Sequence, residues 1–135
     1  MDYFDTYAPV VNWTTVRLLL ILSIIMDLES VQVDYTAAFV HAPIDKDPKF
    51  DLLSAEEQDR RGVYLEMPRG FRKPGKVLKL KKSLYGLRQS PRNWYLHLKS
   101  KLCSPDLGFE CCTDVDPCLF ISDSVIVLCY VDDCL

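Results

Sequence analysis

The run Val125-Ile126-Val127-Leu128-Cys129-Tyr130-Val131-Asp132-Asp133 decides how this chain is read, because an apolar, β-branched strand ends in two adjacent carboxylates. A second stretch repeats the pattern: Val31-Gln32-Val33 alternates as a strand does and is followed by Asp34. A strand apolar enough for a core should not end in unpaired like charges, since desolvating carboxylates costs several kcal/mol. A cation should compensate, and a pair of divalent metal ions is the most economical candidate for oxygen ligands. If the two strands pair, their ends lie about 4.8 Å apart. Asp34 and Asp132 could then bridge two ions about 3.5–4 Å apart. The competing reading is that each carboxylate only ends a strand or makes a turn, as Asp often does. Two such clusters, each closing an apolar strand, weigh against it.

Outward from that run, Ser122-Asp123-Ser124 separates it from residues 118–121, which predicts a hairpin. Only Cys134 and Leu135 follow Asp133, so the expectation is a turn without its return strand. Upstream, Ser90-Pro91 is a good helix start, an N-cap followed by Pro at the first helical position. Trp94, Leu98 and Leu102 then give one apolar stripe. Residues 63–67 and 77–81 read as strands around a Pro74-Gly75 turn. Thr14 or Thr15 is expected to cap a helix running to about Asp27, whose apolar residues surround its axis and predict cover on most sides. Thr36-Ala37-Ala38-Phe39 reads as the start of a short helix. Residues 43–62, broken by Pro43 and Pro48, read as a loop or insertion with one helical turn at 54–59.

A length of 135 residues and a hydrophobic share of 49% suit one modest domain with a real core. The net charge of −3 argues against a polyanionic partner, but the distribution reverses that impression. Residues 60–101 hold 13 of the 16 Lys and Arg with Glu66 as the lone acid, a local net of +12 beside −15 elsewhere. A basic block beside an acidic remainder suggests a phosphate-facing surface next to a metal-holding one, with solvated loop charge as the alternative. Cys103, Cys111, Cys112, Cys118, Cys129 and Cys134 form no CxxC pair, and His41 and His97 fall at no ligand spacing around them. Reduced structural thiols in an intracellular protein are the expectation. The apolar stretch 18–26 follows Asp2 and Asp5 rather than a basic start, and it is shorter than the ~20 residues of a membrane span. A buried helix explains it better than a leader or a span.

Several segments then converge on one family. Tyr130-Val131-Asp132-Asp133 is similar to the catalytic signature of reverse transcriptases, and Val33-Asp34-Tyr35-Thr36-Ala37-Ala38-Phe39 resembles their first catalytic motif. Lys81-Lys82-Ser83-Leu84-Tyr85-Gly86-Leu87-Arg88-Gln89-Ser90-Pro91-Arg92-Asn93-Trp94-Tyr95 resembles the hallmark of copia-type (Pseudoviridae) retrotransposon polymerases. Tyr7-Ala8-Pro9-Val10-Val11, Thr14-Thr15-Val16-Arg17-Leu18-Leu19 and Met67-Pro68-Arg69-Gly70-Phe71 match the same family in the same order. The resemblance spans nearly the whole chain apart from residues 43–62, which are longer than the family's usual connection.

The resemblance implies an α+β fold, an antiparallel sheet with helices packed on one face, like the palm and partial fingers of a right-hand polymerase. It implies RNA-directed DNA synthesis by two-metal nucleotidyl transfer with Mg²⁺ (or Mn²⁺), dNTPs, an RNA template and a DNA primer, and no membrane. Asp34, Asp132 and Asp133 would be the catalytic and metal-binding carboxylates. Phe39 would be the aromatic gate against a ribose 2′-hydroxyl, its alternative being an ordinary core Phe. Tyr85, Gly86, Arg88, Gln89, Ser90 and Pro91 would line the incoming nucleotide and template. Lys79, Lys81 and Lys82 would face phosphate. Trp94 is assigned to the core. The family's basic fingers segment, thumb and RNase H lie outside this chain. The full element would act in a cytoplasmic particle. Two alternatives stand beside the enzyme: a catalytically inactive retroelement remnant, and a nucleic-acid-binding module using the basic surface.

Overall fold

The computed structural model describes residues 6–44 and 52–135. Five short strands form one antiparallel sheet: β1 (Val33–Asp34), β4 (Glu110–Cys111), β5 (Leu119–Ile121), β6 (Ile126–Tyr130) and β7 (Asp133–Cys134). Their spatial order is β1-β7-β6-β5-β4. A separate two-stranded ribbon pairs β2 (Tyr64–Leu65) with β3 (Leu78–Lys79). The helices are α1 (Trp13–Ile25), α2 (Ala55–Arg61) and α3 (Ser90–Leu102), with a 3₁₀ turn at Ala38–His41.

The expected hairpin is present, with Leu119 opposite Leu128 and Ile121 opposite Ile126. Strand alternation then sorts the core. Phe120, Cys129 and Cys134 face the Trp94-Leu98-Leu102 stripe of α3, while Leu119 and Leu128 face Val11, Val16 and Leu19 beside and on α1. Helices therefore flank both faces of the sheet, which corrects the expectation of helices on one face. The reason is that both strands of the hairpin are apolar on both sides. Each buried Leu or Trp of α3 contributes roughly 1.5–3 kcal/mol relative to exposure.

Helix α1 departs from expectation twice. Its N-cap is Asn12, not Thr14 or Thr15: the Asn12 side chain accepts the Thr14 N–H at 2.9 Å, and Thr15 is buried. Its apolar girdle is not covered on most sides. Val16 and Leu19 pack on the sheet, whereas Ile24 and Ile25 remain 81% and 73% exposed. The expected start of α3 also shifts by one residue, to a Gln89 N-cap, because the Ser90 hydroxyl donates to the Leu84 carbonyl instead of capping the helix.

Within 43–62, Pro48 and its neighbours at 45–51 lie outside the described residues. The single turn expected at 54–59 is a full short helix, α2. Its Ser54 cap accepts the Glu57 N–H at 3.3 Å. The return strand judged missing after Asp133 is present as β7. Two residues suffice because β6 and β1 bond it on either side.

Candidate active site

Strand β7 brings the two acidic clusters together. Asp34 is the direct cross-strand partner of Asp133, and Val33 that of Cys134. The Tyr35 N–H donates to the Asp132 carbonyl at 3.0 Å. Directly opposed residues hold their Cβ atoms about 4.5–5.5 Å apart, so the carboxylates of Asp34 and Asp133 share one edge with Asp132 at the adjoining turn. The pairing expected between the Asp34 strand and the Asp132 hairpin is thus made through β7 and not through β6.

The reason for these charges differs from the sequence argument. Asp34 and Asp133 are exposed and Asp132 is half-buried, so desolvation does not demand a counter-ion. What remains is like-charge opposition across one strand pair, which is destabilising on its own. Among the described residues, no salt bridge to Asp34, Asp132 or Asp133 relieves it. Carboxylate oxygens of this kind suit a hard divalent cation. The three side chains do not yet close on a common point: among the described residues no group of three or more metal-capable side chains is gathered. The backbone placement fits a metal site; the side-chain arrangement is open.

The turn itself is held from below. Val131 sits at φ 59°, a region unfavourable for a β-branched residue, as the two-residue connection from Tyr130 to Asp133 requires of its first position. Such strain costs roughly 1–3 kcal/mol and persists only where neighbours hold it. The holder is Trp94, whose indole N–H donates to the Val131 carbonyl at 2.6 Å. The same ring meets Tyr35 edge-on at 5.2 Å, so one core side chain touches the residue after Asp34 and the residue before Asp132.

The residues expected to line the nucleotide fall into two sets. Phe39 is half-buried and packs on Tyr85 with ring centroids 4.6 Å apart; Tyr85 itself is 57% exposed. Gly86 follows at φ 94°, a conformation L side chains rarely adopt, although a Cβ would meet nothing within 4 Å. Glycine is therefore required there by backbone shape and not by crowding. Arg88 is exposed and Gln89 occupies the helix cap. Ser90 is fully buried and its hydroxyl is committed to the Leu84 carbonyl, so in this arrangement it shapes the loop. Pro91 lines a small apolar cleft with Trp94, Cys129 and Val131, behind the carboxylate turn.

This segment is stitched to the Asp34 side of the molecule. The Ser83 N–H donates to the Ala42 carbonyl at 2.9 Å, Lys82 Nζ donates to the His41 carbonyl at 2.7 Å, and Asn93 Nδ2 donates to Ser83 Oγ at 3.0 Å. Lys79, expected at phosphate, instead donates to Asp59 Oδ1 at 2.7 Å. That hydrogen bond holds the Asp59 carboxyl below its ordinary value and the Lys79 ammonium above its own.

One residue escaped the sequence reading. Asp116 is 1% exposed; its carboxylate accepts the Asn12 N–H at 2.8 Å and the Cys118 N–H at 2.9 Å, tying the start of α1 to β5. Its only signal was an acid before Pro117 in an apolar neighbourhood. Burial pushes the neighbouring Cys118 thiol up to about 12.

Comparison with known proteins gives the family. The family described as reverse transcriptase (RNA-dependent DNA polymerase) matches residues 1–135, the 43–62 stretch included. The chain is similar to the retrovirus-related Pol polyprotein from transposon TNT 1-94 of Nicotiana tabacum, at 35% identity over all of this chain and 9% of that protein. It is 32% identical to the Pol polyprotein from transposon RE1 of Arabidopsis thaliana, again over all of this chain and 8% of the relative. The Ty1-ER2 Gag-Pol polyprotein of Saccharomyces cerevisiae is 31% identical over 90% of this chain and 7% of its own length. The chain thus spans less than a tenth of these relatives. No solved structure matches it. Its ordered motifs and whole-length match place the chain in the reverse transcriptase family, among the Pol polyproteins of copia-type retrotransposons.

Proposed function

We propose that the β1–β7 edge is the catalytic floor of an RNA-directed DNA polymerase, adding dNMP to a primer 3′-hydroxyl. The observation that carries this reading is the register pairing of Asp34 with Asp133, beside Asp132, none of the three in a salt bridge with a described residue. With Mg²⁺ or Mn²⁺ held by Asp34, Asp132 and Asp133, the metal pair would supply activation of the hydroxyl and charge neutralisation at the leaving pyrophosphate. The chain's own side chains supply position. Trp94 fixes the turn through Val131, and Tyr35, against the Trp94 ring, fixes the backbone after Asp34. The Phe39–Tyr85 pair offers an aromatic wall at the 3₁₀ turn, suited to packing on a deoxyribose and refusing a 2′-hydroxyl. The positive-φ Gly86 lets a nucleotide approach the backbone, and Arg88, exposed two residues on, carries a guanidinium of the kind that meets phosphate.

The palm and partial-fingers assignment belongs to this reading, supported by the antiparallel sheet with its carboxylates at one edge. RNA template, DNA primer and dNTPs are the proposed partners, together with the remaining polyprotein segments, thumb and RNase H among them. A cytoplasmic particle is the proposed setting. Among the described residues, no helix is long and apolar enough to cross a membrane.

Primer extension on a homopolymer RNA template tests the reading, using this chain alone and joined to the following polyprotein segments. Mg²⁺-dependent incorporation that Asp34→Asn and Asp132→Asn each lower by at least about 100-fold supports it. Incorporation undiminished in both variants overturns the role of the carboxylates, and none in either context overturns the reading in favour of an inactive remnant.

A further inference from the structure

Cys129 and Cys134 are cross-strand partners on β6 and β7, both buried, with their Sγ atoms 2.8 Å apart. Leu128 and Leu135 exchange both backbone hydrogen bonds, at 2.8 and 2.9 Å. The adjoining Cys129–Cys134 pair is therefore a non-hydrogen-bonded one, whose Cα atoms approach to about 4.5 Å. That spacing lies inside the range a disulfide accepts, and closing to an S–S bond of about 2.05 Å asks for a shift under about 1 Å. The pair brackets Tyr130, Val131, Asp132 and Asp133, so any bond between these sulfurs ties the base of the carboxylate turn. Among the described residues no group of three or more metal-capable side chains includes them, which sets aside a thiolate metal centre. Neither sulfur has a part in nucleotidyl transfer.

We propose that Cys129 and Cys134 form an oxidisable dithiol, a modification site whose disulfide fastens the hairpin bearing Asp132 and Asp133. The oxidant class is a small disulfide, for which oxidised glutathione is the probe. One protein sulfur attacks it, breaking its S–S bond, releasing one glutathione thiol and leaving a mixed disulfide. The second protein sulfur attacks the protein side of that mixed disulfide, forming the Cys129–Cys134 bond and releasing the second glutathione thiol. Two electrons and two protons pass from the protein dithiol to the two glutathione sulfurs. Access comes through local opening of β7, a strand of two residues. The consequence for catalysis rests on the polymerase reading; the dithiol itself does not. The three carboxylates are not gathered in this arrangement, so binding metal requires their side chains to turn inward, and a crosslink at the base of the hairpin restricts how Asp132 and Asp133 do so.

The test treats the full chain with oxidised glutathione, then alkylates in denaturant and maps the cysteines by mass spectrometry. Cys129 and Cys134 should be protected together, with the loss of two hydrogens and full reversal by dithiothreitol. Amide hydrogen exchange across 130–133 should slow by about tenfold on oxidation, and primer extension should fall about tenfold on oxidation and return on reduction. Cys134→Ala and Cys134→Ser, two variants in case one fails to fold, should abolish all three responses. Joint alkylation of both cysteines after oxidation, or protection paired with Cys111 or Cys118, overturns the dithiol. A disulfide that leaves exchange unchanged overturns the fastening, and one that leaves extension unchanged overturns the control of catalysis. A reduced protein that extends no primer counts against the polymerase reading alone, because mass and exchange still decide the dithiol.

Discussion

The indole N–H of Trp94, a core residue of α3, donates to the carbonyl of Val131, the strained first residue of the acidic turn, at 2.6 Å. Packing and site geometry therefore meet in one side chain. Trp94→Phe keeps most of the buried ring and deletes the donor, leaving the Val131 carbonyl without that partner. We expect a stability loss of about 1–3 kcal/mol in urea unfolding. Primer extension should fall through kcat with KM for dNTP little changed, because the turn and not the nucleotide wall is disturbed. Trp94→Ala should cost about 3–5 kcal/mol.

The Asp34–Asp133 opposition predicts opposite signs with and without metal. In chelator, Asp34→Asn removes a like-charge pair and should stabilise the fold by a few tenths of a kcal/mol up to about 1 kcal/mol. Adding Mg²⁺ should raise the melting temperature of the parent protein and not that of the variant, since a ligand binding only the folded state stabilises it. Thermal melts with EDTA and with excess Mg²⁺ read both. A parent protein indifferent to Mg²⁺ would sink the metal assignment.

Asp116 satisfies two backbone donors from distant segments. Asp116→Ala should destabilise by about 2–4 kcal/mol, roughly 1–3 for each buried donor set loose and less where water enters. Loss of protection in amide exchange should concentrate at Asn12 and Cys118. A change spread evenly over the chain would count against this tie.

Lys79 is paired with Asp59 while Lys81, two residues on, is exposed and makes no ion pair with a described acid. For single-stranded RNA, Lys81→Ala should weaken binding and reduce the slope of log K against log salt by about 0.7. Lys79→Ala should leave that slope nearly unchanged. Fluorescence anisotropy between low and high salt distinguishes them, and identical slopes for both variants would remove phosphate contact at Lys81.

Alkaline stability follows from the buried thiols. Cys118 is raised from 9.0 to about 12 by burial, and the hydrogen bond from Cys134, then burial, raises Cys129. Above pH 9 the unfolded chain loses these protons while the folded chain keeps them, so its proton count is the lower one and stability falls as pH rises. The contribution is complete below pH 9 and lost on the way to about pH 12 for Cys118. Urea midpoints from pH 8 to pH 11 should decline in the parent protein and decline less steeply in Cys118→Ala.

The sequence was informative where a local rule and a burial requirement agreed. The β5–β6 hairpin was legible because two apolar runs flank a Ser-Asp-Ser turn, and α3 because Trp94, Leu98 and Leu102 share one helical face. Helix α1 was legible as a helix and not as to its surroundings, since an apolar girdle does not say which surface covers it. The strand β7 was not legible: two residues, Asp133 and Cys134, carry no periodicity and become a strand only because β6 and β1 supply hydrogen-bond partners on both sides.

What the amino-acid order determined by itself is the set of short-range chemistries: which runs are apolar, where turns fall, and that carboxylates close two separate strands nearly a hundred residues apart. What only the tertiary structure decided is who meets whom. Register set Asp34 against Asp133 and Cys129 against Cys134, and packing aimed the Trp94 N–H at Val131. Those pairings depend on long-range strand order and on the free energy of closing long loops, which no local pattern encodes.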